Sequence, residues 1–124
     1  MARILLAEDE EALRAFVMRA LAQDGHEVVA AADGAEALEV LSRDQKDFDL
    51  LLTDIRMPIM DGIALALAAA RDHPDLIILL MTGYADQRER AHGLDALIHD
   101  VINKPFSLAD IKSAVNEALA AKAP

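Results

Sequence analysis

The chain has 124 residues, of which 54% are hydrophobic and only 3% aromatic; it has no cysteine and a formal net charge of −10. A single domain of this length buries roughly two-thirds of the surface its unfolded form exposes, so an aliphatic, alanine-rich core is expected and disorder is not. The negative charge repels a phosphate backbone and no basic stripe interrupts it, which argues against nucleic acid as a partner, and the lack of thiols excludes disulfides and thiolate metal sites.

Ile4 to Ala7 is a short apolar run ending at Glu8-Asp9-Glu10-Glu11. It is too brief for a signal-peptide core, and no later run is long enough to span a membrane. A soluble cytoplasmic protein with no membrane partner is the expectation. Leu13, Phe16, Val17, Ala20 and Leu21 then recur at helical spacing, and Gly25 closes that helix. Val28 to Ala31 reads as a second strand, and Asp33-Gly34-Ala35-Glu36 as a capping box opening a helix through Ala37, Leu38 and Leu41.

Leu50 to Thr53 is a third strand, followed by Asp54 and the Pro58 turn. After Gly62 the apolar stretch Ile63 to Ala70 predicts a helix buried on much of its circumference. Pro74 precedes a fourth strand, Ile77 to Thr82. The charged segment from Asp86 to His92 predicts a marginal, solvated helix. Val101 to Asn103 is a fifth strand, and Ser107 caps a last helix carrying Leu108, Ile111, Val115 and Leu119. The histidines His26, His73, His92 and His99 have no ligand spacing and read as surface residues.

Strands alternating with helices over short connections require parallel pairing through right-handed crossovers. An α/β, doubly wound, five-stranded parallel sheet with helices on both faces follows. The strands Leu50 to Thr53 and Ile77 to Thr82 lack polar alternation, which places them in its middle. No linker or repeat interrupts the chain, so residues 1–124 read as one domain.

In such a sheet, chemistry collects at the carboxyl ends of the strands. There stand Glu8 and Asp9, Asp54, Thr82, and Lys104 after Val101-Ile102-Asn103. Three crowded carboxylates raise a pKa or recruit a cation, and a hard divalent ion such as Mg²⁺, with its preference for oxygen ligands, resolves the conflict. Lys104 can neutralise Asp54 or a phosphoryl oxygen, and the Thr82 hydroxyl can donate to another. Asp54 is then a carboxylate nucleophile able to form an aspartyl phosphate.

Each feature alone has a blander meaning. An acidic run suits a helix N-terminus, which is how Glu10 and Glu11 are read, and Asp54 before a proline turn could be a turn residue. The functional reading rests on all four strand ends together.

These residues resemble the receiver domain of bacterial two-component response regulators. The resemblance is carried by Glu8-Asp9, by Asp54-Ile55-Arg56-Met57-Pro58-Ile59-Met60-Asp61-Gly62, by Thr82-Gly83 and by Lys104-Pro105-Phe106, and runs nearly end to end. It implies a flavodoxin-like, CheY-like (βα)5 fold with strand order 2-1-3-4-5. It also implies Asp54 as phosphoacceptor, Asp9 and Asp54 as direct Mg²⁺ ligands, Glu8 in contact through water, and the Arg56 carbonyl as backbone ligand. Thr82 becomes the switch hydroxyl and Lys104 the phosphate-binding lysine, in a signalling domain rather than a turnover enzyme. The partner upstream is a histidine kinase or histidine phosphotransfer protein.

One position departs from the family pattern. Where many receivers carry an aromatic switch residue, this chain has Val101, whose isopropyl group cannot sweep out the volume of a tyrosine ring. Arg56, Gly83 and Tyr84 stand at the site mouth, and Tyr84 and Arg56 are expected to control water access to the phosphoaspartate. The readout face is expected on the 86–92 helix, the fifth strand and the last helix, with Tyr84, Arg88, Arg90 and His92 exposed.

The stretches Asp61 to Ala66 and Met81 to Ala91 resemble the CpdR-type single-domain receivers of alphaproteobacteria. No output domain is expected, so the message is expected to leave by surface contact or by onward phosphoryl transfer. The likeness implies a phosphorelay input from a histidine phosphotransfer protein and an unphosphorylated form acting as adaptor for the ClpXP protease; the alternative is a CheY-like or phosphorelay-intermediate receiver with another target. Two rival classes share parts of this pattern. A haloacid-dehalogenase-type phosphatase uses a similar strand-end aspartate, but needs a second acid two residues on, where this chain has Arg56. A binding module with a relic acidic cluster would fail to label with a phosphodonor.

Overall fold

A computed structural model describes residues 2–43, 47–83, 93–94 and 96–122. In chain order the elements are β1 (Arg3–Ala7), α1 (Glu11–Gln23), β2 (Glu27–Ala31), α2 (Gly34–Arg43), β3 (Leu50–Asp54), α3 (Gly62–Asp72), β4 (Ile77–Thr82), β5 (Asp100–Asn103) and α4 (Leu108–Lys122). The helix predicted over 86–92 lies outside the described residues, as do Tyr84, Arg88, Arg90 and His92.

All pairings are parallel and the order is β2-β1-β3-β4-β5. The unbroken apolar runs do occupy the middle: every residue of β3 is buried, and in β4 only Ile77 is partly exposed. Because side chains alternate along a strand, the sheet divides its own residues between two cores. Leu5, Ala7, Leu51, Ile78 and Leu80 face α2 and α3, together with Ala37, Val40, Leu41, Leu65, Ala66 and Ala69. Ile4, Leu6, Leu50, Leu52, Leu79 and Met81 face α1 and α4, with Val17, Ala20, Leu21, Ile111, Val115 and Ala118. The doubly wound arrangement is the one the sequence predicts.

Local signals set the helix ends. Asp33 accepts from the Glu36 N–H at 2.8 Å, and Ser107 and Asp110 exchange two 3.0 Å bonds as a reciprocal capping box. Asp61 caps α3 by accepting from the Ala64 N–H at 2.9 Å. Gly25 lies at φ +85°, the left-handed turn that ends α1.

The α3 stretch is buried on much of its circumference, through Leu65, Ala66 and Ala69, and is open at Ala64 and Leu67, the latter 45% exposed. One reading is corrected. His26 is half-buried, and its Nδ1 accepts from the Ala2 N–H at 3.1 Å while Nε2 meets the Asn116 Oδ1 at 3.2 Å. Asn116 in turn donates to Asp24 at 3.0 Å, so His26 is a strut between α1, α4 and the start of β1. The bond from Ala2 fixes its proton on Nε2.

Candidate functional site

The carboxyl ends of β1, β3, β4 and β5 surround an open cavity of about 1010 Å³. Its wall is polar where Glu8, Asp9, Asp54 and Lys104 meet, and apolar where Leu13, Met57, Pro58, Pro105 and Phe106 form a collar; Arg56 and Gly83 complete the rim.

Strand alternation separates the two adjacent acids. Glu8 points inward and is fully buried, whereas Asp9 is exposed. The Glu8 backbone is fastened on both sides: its N–H donates to the Ala31 carbonyl at 3.1 Å, and its own carbonyl accepts from Arg14 Nη1 at 2.9 Å. Its carboxylate accepts from the Glu10 N–H at 3.0 Å and from Lys104 Nζ at 3.2 Å. Lys104 Nζ also donates to Asp54 Oδ2 at 2.8 Å, and the lysine backbone is tied to β4 by its N–H on the Thr82 carbonyl at 2.8 Å.

The charges do not balance. One oxygen from each of Glu8, Asp9 and Asp54 lies within 4.8 Å of the others, against a single ammonium among the described residues. Burial pushes the Glu8 carboxyl from 4.5 up to about 7; Asp54 pushes the same way, while the Glu10 N–H and Lys104 pull it down only in part. Burial would lower Lys104, but the hydrogen bonds and charges of Asp54 and Glu8 outweigh it and hold the ammonium above its ordinary value. A protonated Glu8 or an added cation relieves the excess. Three hard carboxylates converging on one point suit a divalent ion that prefers oxygen.

The remaining sequence-predicted residues fall as follows. Thr82 ends β4 opposite Asn103 and is only 2% exposed, with Gly83 rather than Thr82 on the cavity wall. Arg56 is exposed on the rim, so the place where a phosphatase of the dehalogenase type needs its second acid holds a cation. Val101 is half-buried on β5, paired with Leu80 and packed against the α2–α3 core. Tyr84 lies outside the described residues.

The loop after Asp54 carries features that sequence reasoning missed. Thr53 Oγ1 donates to the Asp54 carbonyl at 2.9 Å and lies 4.0 Å from the Met57 sulfur, while the Ile55 N–H donates to Met81 at 3.1 Å. The Met60 N–H closes a three-residue turn on the Pro58 carbonyl at 2.7 Å, with Ile59 at φ +70° at its centre. That φ belongs to the rare γ-turn and strains a β-branched residue. Ile59 is 84% exposed. No propensity marks such a residue in sequence; the Pro58 before it is the one local cue.

The sequence model described as the response regulator receiver domain matches residues 4–116. This chain belongs to that family. The receiver is 41% identical over 121 residues to the response regulator receiver protein CpdR of Brucella abortus, covering 98% of this chain and 99% of that one. It is 39% identical to part of the sensor kinase CckA of the same organism, over 95% of this chain and 12% of the kinase. Among solved structures, the Thermotoga maritima response regulator TrrA, in complex with Mg²⁺-BeF, superposes with a TM-score of 0.83 at 28% identity, over 95% of this chain and 99% of that one. The receiver is thus a signalling module of two-component systems, whose members work with histidine kinases and bind Mg²⁺ at an acidic site.

Proposed function

We propose that this receiver accepts a phosphoryl group on Asp54 from a phosphohistidine of a histidine kinase or histidine phosphotransfer protein, and that the modification switches its contacts with a downstream protein. One observation carries the reading: Lys104 Nζ sits 2.8 Å from Asp54 Oδ2 at the edge of a three-carboxylate cluster that opens into a cavity.

An Asp54 carboxylate oxygen attacks phosphorus as the P–N bond to the donor imidazole breaks, and the imidazole leaves with the bonding electron pair and takes up a proton. Lys104 moves its donor bonds from the carboxylates toward the phosphoryl oxygens, and Thr82 supplies a hydroxyl from the end of β4. Asp9, Asp54 and the Arg56 carbonyl would hold Mg²⁺ directly and Glu8 through water; when bound, the ion neutralises the carboxylates and the phosphoryl charge. Arg56 and Gly83 line the cavity, and Arg56 with Tyr84, the residue next in sequence to Gly83, would set water access to the phosphoaspartate. With Val101 in place of an aromatic ring, the switch works through Thr82 and Lys104 rather than a swinging ring.

Incubation with acetyl phosphate and Mg²⁺ should add one phosphoryl group, detected by intact mass, and Asp54→Ala should abolish it while the circular dichroism spectrum is kept. Labelling that survives Asp54→Ala would overturn the assignment.

The 41% identity to CpdR over nearly the full length of both chains supports a finer output. In this reading the unphosphorylated receiver is an adaptor for the ClpXP protease. Capture with Asp54→Ala bait should retain the protease, and capture with phosphodonor-treated wild type should lose it. Equal recovery on both baits would refute the adaptor reading.

A further inference from the structure

The loop that joins Asp54 to α3 is closed on itself at its base, because the Gly62 N–H donates to the Ile55 carbonyl at 2.8 Å. Its far side is held by a residue from another part of the chain. Gly34, the first residue of α2, donates its N–H to the Met60 carbonyl at 3.2 Å. That N–H is one of the four a helix leaves without an internal partner, so the loop completes the helix start while the helix start holds the loop. The contact is also steric: a Cβ on Gly34 would overlap the Met60 carbonyl oxygen and approach its carbon and Cβ to 3.0 Å. Gly34 is buried and has no φ that demands glycine, so the demand is for space.

We propose that Gly34 is a positioning residue for the cation and phosphoryl cavity, fixing through the Met60 carbonyl the height of the 56–60 loop over Asp54. The inference rests on the function proposed above and adds a residue that carries no functional group.

Three observations connect Gly34 to the site. Met60 N–H holds Pro58 through the strained Ile59 turn, so a shift of the Met60 peptide passes to Pro58. Pro58, Met57 and Arg56 line the cavity directly. At the other end Ile55 is pinned to β4 through Met81 and Gly62 presses on the Asp54 carbonyl, where a Cβ would overlap its oxygen. With that base immovable, displacement at Met60 has to be taken up by residues 56–59.

The test uses Mg²⁺ itself as probe. Gly34→Ala should raise the half-saturating Mg²⁺ concentration at least threefold by calorimetry, with the circular dichroism spectrum kept. Gly25→Ala is the control for general destabilisation: it imposes a side chain at φ +85° with no atom within 4 Å of the added Cβ. It should lower the melting temperature and leave Mg²⁺ half-saturation unchanged. A Gly34→Ala variant that melts earlier but binds Mg²⁺ as the wild type does would reduce Gly34 to packing.

If Gly34→Ala fails to fold, amide shifts of the wild type decide. Mg²⁺ should shift the Gly34 resonance along with those of Asp9 and Asp54, and leave Gly25 in place. Shifts at Asp9 and Asp54 with Gly34 silent would overturn the coupling alone, whereas no shift at Asp9 or Asp54 would remove the metal reading and this proposal with it.

Discussion

Metal-free receiver should lose stability as pH rises from about 5 to about 8, opposite to the usual carboxylate trend. Glu8 titrates at 4.5 when exposed and at about 7 in the fold, where burial is the largest cause and Asp54 adds to it. Between those values the folded state holds a proton that the unfolded state releases, so each step upward in pH favours unfolding. Above 7 both states are ionised and the cost is complete. The gap between 4.5 and about 7, at about 1.36 kcal/mol per pH unit, amounts to about 3 kcal/mol. For a domain of this length that is a fall of roughly 10 °C in melting temperature. Asp72, held low by its hydrogen bond from Arg71, and Lys104, held high by its two carboxylate partners against the opposing effect of burial, titrate outside the window. Urea melts in EDTA across this range check the slope, and Glu8→Gln should flatten it, because its amide takes up no proton. Saturating Mg²⁺ should flatten it too. A metal-free stability that is level or rising between about pH 5 and about pH 8, or a slope that Glu8→Gln leaves intact, would refute the buried, overcharged cluster.

Lys104→Met removes the only ammonium bonded to Glu8 and Asp54 among the described residues; with the lysine side chain 23% exposed, the loss should be about 1–3 kcal/mol near pH 8. Urea melts should show a smaller loss near pH 5, where Glu8 carries a proton. Ile59→Gly relieves a left-handed β-branched residue and should stabilise by up to about 1 kcal/mol after the added freedom of the unfolded chain is counted, read as a higher urea midpoint. Ser107→Ala leaves the Asp110 N–H without its acceptor and should cost about 1 kcal/mol by the same measurement.

The sheet was legible because strands buried on both faces must be apolar throughout. Leu50 to Thr53 and Ile77 to Thr82 show that pattern, and it placed them inside the sheet. Caps were legible where the capping residue is adjacent to the helix it opens, as at Asp33 and Ser107. Pairs distant in sequence left no local trace. The His26–Asn116–Asp24 chain joins residues 90 and 92 positions apart, and neither spacing nor composition announces it. The acidic pair is visible at the end of β1, and period-2 alternation contains its division of labour: Glu8 turns in and Asp9 out. Gly34 shows in sequence only as part of a capping box, and the neighbour that forbids its Cβ comes from a loop 26 residues away.

That last case shows how the site combines two opposed demands. Among the described residues a cluster with three carboxylates and one ammonium is held together against its own repulsion, and burial, with the Asp54 charge adding to it, lifts Glu8 to about 7. Flexible supports would let the carboxylates spread apart and the conflict would vanish, along with the affinity for a cation that relieves it. The supports are therefore made largely of backbone. Gly62 lies against the Asp54 carbonyl and Gly34 against that of Met60, both at distances no side chain could tolerate. Glu8 is held by the Ala31 carbonyl and the Arg14 guanidinium, and Lys104 by the Thr82 carbonyl. Glycines and main-chain bonds have few rotamers to escape into, so the repulsion is retained until a proton, a cation or a phosphoryl group with its cation changes the charge.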